Sequence, residues 1–254
     1  FMRQKKQSLG QGEFLILADF SENFSFVVQD EVQSFHWNNN SATIHPFVCY
    51  SNEGSFCFVV ISECTKHDVV AVHLFQRKLV DFLTQQCGGQ IPKKMYYMSD
   101  GCAGQYKNCK NFLNLCHHFQ DFGVHAQWHF FATAHGKSPC DGAGGTLKRT
   151  VTKACLQRPY EDQILTAHQL YLFAVANIKG MHFCFTETVQ HEEHSTLLEE
   201  RLQKARTVPG THRLHSFVPL STETVEVRQF SDSTVCRVEK VILKDATPCT
   251  PPPV

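Results

Sequence analysis

Two apolar segments that each end in an aspartate constrain the fold of this chain more than any other feature. The first is EFLILADF, residues 13–20, in which five apolar residues lead to Asp19. The second is MYYMSD, residues 95–100, which ends at Asp100. Continuous apolar runs of this length are typical of strands that are buried on both faces of a sheet. Both segments are therefore predicted to be buried strands that end in an acid.

The residues around these two strands predict further strands alternating with helices. Two apolar segments flanking the turn SNEG predict a hairpin, and Asp68 is the predicted N-cap of a helix whose apolar residues recur at helical spacing. The predicted elements are strands at 13–20, 41–50, 55–64, 95–100 and 125–134, and helices at 69–83, 111–119 and 139–156. This β-β-β-α-β-α-β-α order predicts an α/β fold with a mixed five-stranded sheet flanked by helices.

The order of these elements brings the two aspartates together. A crossover helix before the fourth strand predicts that this strand returns parallel beside the first, so that Asp19 and Asp100 are neighbours at the carboxyl edge of the sheet. Two adjacent carboxylates repel each other, and Mg²⁺ is usually bound by a few carboxylates with water and phosphate. A third acid, Asp141, begins the helix after the fifth strand. Together they predict a site for two ions acting on a phosphodiester.

Each of these acids also has a purely structural interpretation. Asp19 and Asp100 are residue types that commonly occupy turns at strand ends. Asp141 follows Ser138 by three residues, which is the spacing of a capping box at a helix N-terminus. One carboxylate can serve a cap and a metal ion together.

Three segments of the chain resemble the RNase H-like catalytic domain of DDE/DDD transposases, specifically transposase-derived proteins of animal genomes. They are LADFSENFSF around Asp19, YYMSDGCAGQYKN around Asp100, and WHFFATAHGKSPCDGAGGTLKR around Asp141. The resemblance implies an RNase H-like fold and a metal-dependent DNA strand-transfer enzyme. It implies that Asp19 and Asp100 are the first two metal ligands and Asp141 the third. Many relatives have Glu as the third acid, deeper in its helix, so three alternatives are kept: Glu187, Glu192 and Glu193.

Positive charge is concentrated around the predicted site. Residues 93–158 contain nine Lys or Arg and three Asp, a net charge of +6, whereas the whole chain has a net charge of zero. A local basic excess is expected for a polyanionic partner, although a solvated basic surface explains charge alone equally well. The predicted DNA contacts are Lys107, Lys110, His135, Lys148, Arg149 and Lys153.

Other motifs in this region do not predict a nucleotide site or a zinc site. GKS at 136–138 lacks the first glycine of a phosphate-binding loop, because Phe131 occupies that position. Cys102, Cys109 and Cys116 are seven residues apart, which along one helix is too far for one ion. Gly142, Gly144 and Gly145 predict close backbone approach at the helix start.

The remaining sequence predicts a C-terminal α+β extension. Helices are expected at 161–177 and 195–207, a strand at 181–188 and strand-like alternation at 212–230. The predicted divisions are a catalytic core at 13–158, an extension packing on it at 159–245, and a disordered proline-rich tail at 246–254. No apolar run is long enough to span a membrane and no signal peptide is recognisable, so an intracellular protein is expected.

The function predicted from the sequence is a nuclear DNA transposase core that hydrolyses and joins phosphodiesters. Its expected partners are double-stranded DNA, as transposon ends and target, and further copies of itself in a homo-oligomer. The expected cofactor is a pair of Mg²⁺ or Mn²⁺ ions. Two alternatives are an RNase H-like nuclease without joining activity and a domesticated DNA- or protein-binding module without catalysis.

Overall fold

The structure, a computed structural model, describes residues 1–26, 41–131, 138–159 and 162–243. These residues form a mixed α/β fold built on one large sheet. The strands are β1 (Glu13–Ala18), β2 (Phe24–Ser25), β3 (Ser41–Ser51), β4 (Gly54–Ser62), β5 (Lys94–Ser99), β6 (His125–Phe130), β7 (Met181–Thr186), β8 (Ser216–Pro219), β9 (Thr224–Arg228) and β10 (Arg237–Lys240). The helices are α1 (Met2–Gln7), α2 (Val69–Gln86), α3 (Cys109–Cys116), α4 (His118–Phe122), α5 (Pro139–Gln157), α6 (Ala167–Asn177) and α7 (Thr188–Gln203).

The strands of the sheet lie in the order β10-β9-β8-β6-β5-β1-β3-β4-β7, and the short β2 pairs with β3. Strands β1, β5 and β6 run parallel to one another, and β3 runs antiparallel to β1 and β4. The predicted parallel return of the strand that ends at Asp100 is therefore confirmed. Leu15, Ile16 and Leu17 are almost completely buried, as expected for a central strand with helices on both faces.

Two layers of helices cover the sheet. On one face, the side chains of Ile16, Phe47 and Tyr97 share a core with residues of α2 and α3. On the other face, Ile44 and Ile61 pack against residues of α5 and α6, and α1 covers the part around Leu15. This arrangement gives α/β/α layers and leaves the carboxyl edge of the central strands at the surface.

The crossover helix α2 follows from its sequence. The Asp68 side chain accepts a hydrogen bond from the Ala71 N–H at 2.9 Å, so the predicted N-cap is confirmed. Three of the apolar residues predicted for its buried face, Val72, Phe75 and Leu79, are at most 2% exposed. The helix ends at Gln86, just before Gly88, whose φ of +65° suits a glycine.

The sheet is wider than the predicted five strands. The residues after 158 extend it at both edges: β7 pairs parallel with β4, and β8 pairs antiparallel with β6 and leads into β9 and β10. The predicted extension therefore continues the same sheet. A division of the chain at residue 158 remains a prediction. The proline-rich tail predicted at 246–254 lies outside the described residues.

Two helices begin more than five residues from their predicted starts, and the helix predicted at 111–119 is divided into α3 and α4. Helix α6 begins at Ala167, where the Thr166 side chain accepts a hydrogen bond from the Gln169 N–H at 3.1 Å, and not near residue 161. Helix α7 begins at Thr188, seven residues before the predicted start at 195. No helix in the described residues is long and apolar enough to cross a membrane.

Candidate active site

Asp19 and Asp100 follow two neighbouring parallel strands. The pairing of β1 with β5 brings Leu17 opposite Met98, and extending this register by two residues brings Asp19 beside Asp100. Neighbouring strands lie about 4.8 Å apart, so the two acids start from adjacent points on the same edge. Asp19 is partly buried and Asp100 is exposed. The strands therefore hold one acid against the protein and present the other to solvent.

Asp141 reaches this edge through the N-terminus of α5. Ser138 caps the helix, and the Asp141 carboxylate accepts a hydrogen bond from the Ser138 N–H at 2.6 Å, completing the predicted capping box. The Ser138 hydroxyl also lies against the Asp19 carboxyl and favours its ionised form. Ser138 thus links the helix cap to Asp19, a contact that its position in the sequence does not reveal.

A glycine lets α5 approach the segment after β1. A Cβ atom added to Gly144 would lie 2.2 Å from the Ser21 Oγ and 3.3 Å from the Ser21 Cβ. The predicted close approach is therefore confirmed at Gly144. It is wrong at Gly142, where an added Cβ would meet nothing within 4 Å. The contact at Gly144 packs α5, which carries Asp141, closely against the segment that follows β1 and contains Asp19.

The three acids interact electrostatically. Burial, followed by the negative charges of Asp100 and Asp141, raises the pKa of Asp19 to about 7 from an ordinary value of 3.8. Hydrogen bonds from the Phe20 N–H and from Ser138 oppose this rise. Neighbouring like charges and burial both disfavour a carboxylate that has no cation beside it. The site therefore accumulates more negative charge than the protein itself neutralises.

The carboxylates are not gathered around one point. In the described ranges, no group of three or more His, Cys, Asp or Glu side chains is placed to hold a metal ion. Each exposed acid has a local hydrogen bond: Asp100 accepts from the Cys102 N–H at 3.2 Å, and Asp141 from the Ser138 N–H. Their donor chemistry suits Mg²⁺ or Mn²⁺, because these ions take carboxylate oxygens and complete their shell with water and phosphate.

An aromatic cluster lies beneath Asp19. The Phe20 ring stacks on His67, with ring centroids 4.4 Å apart, and meets His45 edge-on at the same distance. The His45 Nε2 and the Tyr106 hydroxyl are 2.7 Å apart, and both residues are buried. Burial, with smaller contributions from Asp19 and Asp100, holds the pKa of Tyr106 well above its ordinary value, so its hydroxyl stays protonated.

His45 and Tyr106 were missed by the sequence analysis. Tyr106 lies inside the segment GCAGQYKN that follows Asp100, so its position near the acids was available as a signal. His45 lies in the middle of an apolar strand, and only the tertiary structure brings it to Tyr106. Burial lowers the pKa of His45 to about 3, so this imidazole is neutral.

The predicted DNA contacts fall into two groups. Two lysines donate to backbone carbonyls: Lys148 to Glu22, and Lys107 to His212 at 3.4 Å. Burial lowers the pKa of both amines, and their contacts fix loops around the site. Lys110, Arg149 and Lys153 are exposed and remain available to a phosphate backbone. His135 lies outside the described residues.

The alternative third acids lie away from Asp19. Glu187 follows β7, which is three strand positions from β1 and thus about 14 Å away at the usual strand spacing. Glu192 and Glu193 are exposed residues further along α7. Asp141, in contrast, acts directly on the pKa of Asp19. This geometry favours Asp141 among the four candidates.

The three regularly spaced cysteines do not share a helix. Cys109 and Cys116 are the first and last residues of α3, but Cys102 lies in the preceding turn, so the predicted single helical stripe is wrong. Cys116 is buried in the core beside α2 and the sheet. They form no metal site within the described part of the chain.

Comparison with protein families places the whole candidate site in one family. A family model described as a domain of unknown function (DUF8701) matches residues 1–231. The chain belongs to this family. The DUF8701 match contains Asp19, Asp100 and Asp141, together with all described strands of the sheet except β10. No curated protein matches the chain.

The raised pKa of Asp19 predicts an unusual pH dependence of stability. The folded protein binds the Asp19 proton more tightly than the unfolded chain, so this favourable term is complete below about pH 4 and is lost as the pH rises through about 7. At pH 8 without divalent metal, the free energy of unfolding of Asp19→Asn should therefore exceed that of the parent by about 1 to 2 kcal/mol, after allowing for solvent screening.

Urea unfolding at pH 4.5 and pH 8, in chelator, measures this difference. The advantage of the variant should be small at the lower pH, and added Mg²⁺ should stabilise the parent selectively at the higher pH. An equal difference in the free energy of unfolding at both pH values would mean that ionisation of Asp19 does not destabilise the folded protein.

Proposed function

We propose that this protein is the catalytic core of a DNA transposase that hydrolyses and joins phosphodiesters with divalent metal ions. The observation that carries the proposal is the placement of Asp19, Asp100 and Asp141 at one sheet edge, where burial and then the charges of Asp100 and Asp141 raise the pKa of Asp19. Structural turn residues have no need to concentrate uncompensated negative charge. A metal-dependent site does, since the charge is neutralised when the ions bind.

The proposed fold of this core is RNase H-like. Strands β4, β3, β1, β5 and β6 lie side by side as a mixed five-stranded unit within the larger sheet, with β3 antiparallel to both of its neighbours. The element order predicted from the sequence pattern recurs within this unit, apart from the short additions β2 and α4. The three segments that carry the resemblance meet where β1, β5 and α5 present their acids. This agreement supports the proposal.

Each residue of the site has a role in the proposed reaction. Asp19, Asp100 and Asp141 would hold two Mg²⁺ or Mn²⁺ ions, which supply charge neutralisation and activation of an attacking oxygen. Ser138 and the Gly144 contact position Asp141 against Asp19. Tyr106 and His45, both buried and uncharged, lie 2.7 Å apart and would form the apolar inner wall of the site.

The exposed cations indicate where a DNA backbone lies. Arg149 and Lys153 are four residues apart on α5, the helix whose first turn contains Asp141, so one face of this helix carries both charges away from the acids. Double-stranded DNA, as transposon ends and target, is the proposed substrate. Action in the nucleus and as a homo-oligomer belongs to the same proposal.

A second candidate is a DNA-binding module that has lost catalysis. It is favoured by one observation: the described acids do not converge on a single ion position. A related enzyme that only hydrolyses DNA would use the same acids.

The experiment that separates the three functions is incubation of the protein with labelled duplex DNA from the regions flanking its coding sequence, in Mg²⁺, Mn²⁺ or chelator. The proposal expects metal-dependent cleavage and joined products; cleavage alone indicates a nuclease, and binding alone the module.

The placement of the cations predicts the salt dependence of DNA binding. Arg149→Ala and Lys153→Ala should each lower the slope of log affinity against log salt by about one unit, because each removes one phosphate contact. Lys240→Ala is the matched control. Lys240 is exposed on β10 and pairs with Thr224, the first residue of β9, so it lies at the end of the strands opposite to the aspartates. Binding titrations at several salt concentrations measure the slopes. Equal slopes for all four proteins would mean that α5 is only a solvated surface.

A further inference from the structure

A basic and aromatic groove lies beside the candidate active site. It has a volume of about 630 Å³ and is lined by residues of two segments, 210–214 and 227–237. Its walls include Arg213, Phe230, Val235 and Arg237, and none of the described residues that line it is acidic. We call it the 210–237 groove.

Sheet topology places the 210–237 groove on the same edge as the aspartates. Strand β6 ends at Phe130, beside the end of β5. Strand β8 starts at Ser216, which lies next to this end of β6. Strand β9 ends at Arg228, which pairs with Ser216. The segments before β8 and after β9 therefore emerge at the carboxyl edge. Two to three strand spacings separate them from Asp100, or about 10 to 14 Å.

Lys107 bridges the interval between the groove and Asp100. Its aliphatic chain lies over Gly101, where an added Cβ would be 3.4 Å from the Lys107 Cδ. Its ammonium group donates to the His212 carbonyl at 3.4 Å and lies 5.1 Å from the centre of the Phe130 ring. A positive charge thus occupies the path from the residue after Asp100 to the groove wall.

One of the two arginines that line the groove, Arg213, is not paired with an acid among the described residues. Glu226 pairs with Arg228 at 2.6 Å, and Glu239 pairs with Arg237 at 3.0 Å. Arg213 is exposed and has no side-chain hydrogen bond or ion pair with the residues that the structure describes. Asp232 belongs to the same turn but does not line the groove. Arg213 is therefore a cation available to an anionic ligand.

The groove also offers apolar surface to a flat ligand. Phe230 is 56% exposed and Val235 is 81% exposed, although both line a concave site. The Phe230 ring lies nearly parallel to His215, at 14°, with ring centroids 6.3 Å apart. An exposed aromatic ring beside an unpaired arginine is a combination that binds single-stranded nucleic acid, because a base stacks on the ring while a phosphate contacts the cation.

We infer that the 210–237 groove binds a single strand of DNA that continues from the carboxylate site, with a base on Phe230 and a phosphate on Arg213. The inference rests on the proposed function, since it supplies the path for a strand whose phosphodiester lies at Asp19 and Asp100. Duplex DNA does not expose a base face to stack on Phe230, so the groove selects a separated strand.

Fluorescence anisotropy with a labelled twelve-nucleotide dT strand tests this binding, in chelator and with the full chain. Phe230→Ala should raise the Kd for the single strand by about tenfold, within the range of one base stack. Arg213→Ala should raise it and lower the salt slope by about 0.7. Neither change should alter the melting temperature, because both side chains are exposed.

Two matched controls lie elsewhere on the surface. Phe119 is 53% exposed and stacks on His125, the first residue of β6, at the opposite edge of the sheet. Arg3 is exposed on α1. Phe119→Ala and Arg3→Ala should leave the Kd unchanged.

The outcomes separate this inference from the proposed function. If Phe230→Ala binds the dT strand like the parent, the stacking assignment is overturned, whatever cleavage assays show. If Arg213→Ala weakens a duplex as strongly as the single strand, while Phe230→Ala weakens neither, the groove holds a duplex backbone and the inference is again overturned. Because no metal or cleavage is involved, loss of activity in aspartate variants has no bearing on either result.

Discussion

Replacing Asp19, Asp100 or Asp141 singly with Asn should reduce metal-dependent DNA cleavage by orders of magnitude. Asparagine keeps the size and shape of the side chain but removes an anionic ligand for the ions. DNA binding in chelator should stay equal or become slightly tighter, because the acids repel phosphate when no cation shields them. Cleavage of a labelled duplex and metal-free binding are measured side by side on each variant.

Asp141 is the most informative of the three acids, because its capping box gives it a structural role as well. Loss of the cap alone would cost about 1 kcal/mol of stability and leave cleavage intact at a permissive temperature. Asp81→Asn is a matched control, since Asp81 is an exposed aspartate on α2. If Asp141→Asn only melts earlier, the third ligand must be sought among Glu187, Glu192 and Glu193. Normal cleavage by all three variants would refute the proposed mechanism.

Asp121→Ala should lower the free energy of unfolding by about 2 to 3 kcal/mol, the largest stability effect expected from one polar side chain here. The Arg201 guanidinium donates two hydrogen bonds to the Asp121 carboxylate, at 2.6 and 2.8 Å, and His73 lies 3.1 Å away. These contacts join α7 to α4 and α2. The variant leaves the Arg201 cation, 24% exposed, without its partner.

The effect of Asp121→Ala should depend on pH in the opposite direction to that of Asp19. Burial alone would raise the pKa of Asp121, but Arg201 and His73 hold it well below its ordinary value. The stabilisation is therefore complete above about pH 4 and is lost as the pH falls further, through the pKa of the folded state. Urea unfolding of parent and variant at pH 7 and pH 3 measures this.

Glu200→Ala is the control for the Asp121 pair. Glu200 lies on α7 and pairs with Lys204 at 2.8 Å, but it is exposed to solvent, so its loss should leave the melting temperature nearly unchanged. An equally small effect of Asp121→Ala would mean that the bidentate contact does not hold α7 in place.

The centre of the sheet was predictable because its signals are local. Strands β1 and β5 are continuous apolar runs, and α2 between them requires a parallel return, so the adjacency of Asp19 and Asp100 follows from sequence. The edges were not predictable in this way. Strands β7 and β8 resemble other short strands, and nothing in their residues specifies pairing with β4 and β6, which precede them by more than eighty positions.

The candidate site was likewise predictable only where its sequence signals are local. Strand ends and the capping spacing identified Asp19, Asp100 and Asp141, but the roles of Lys107 and Lys148 depend on contacts with carbonyls more than a hundred residues away. Charge alone predicted them as DNA contacts, which stays a prediction, and only the structure shows that each also donates to a loop carbonyl. Ser138 was identified as a cap, and its contact with Asp19 required the tertiary structure.

The location of bound Mn²⁺ shows directly whether Asp19, Asp100 and Asp141 hold metal ions. Crystals of the protein grown with Mn²⁺ can be measured by anomalous diffraction, which identifies the ion by its own scattering. We expect Mn²⁺ about 2 to 2.5 Å from a carboxylate oxygen of Asp19, with Asp100 or Asp141 as a second ligand of the same ion. Saturating Mn²⁺ that leaves Asp19 without a bound ion, or that occupies only sites away from this edge of the sheet, would contradict it.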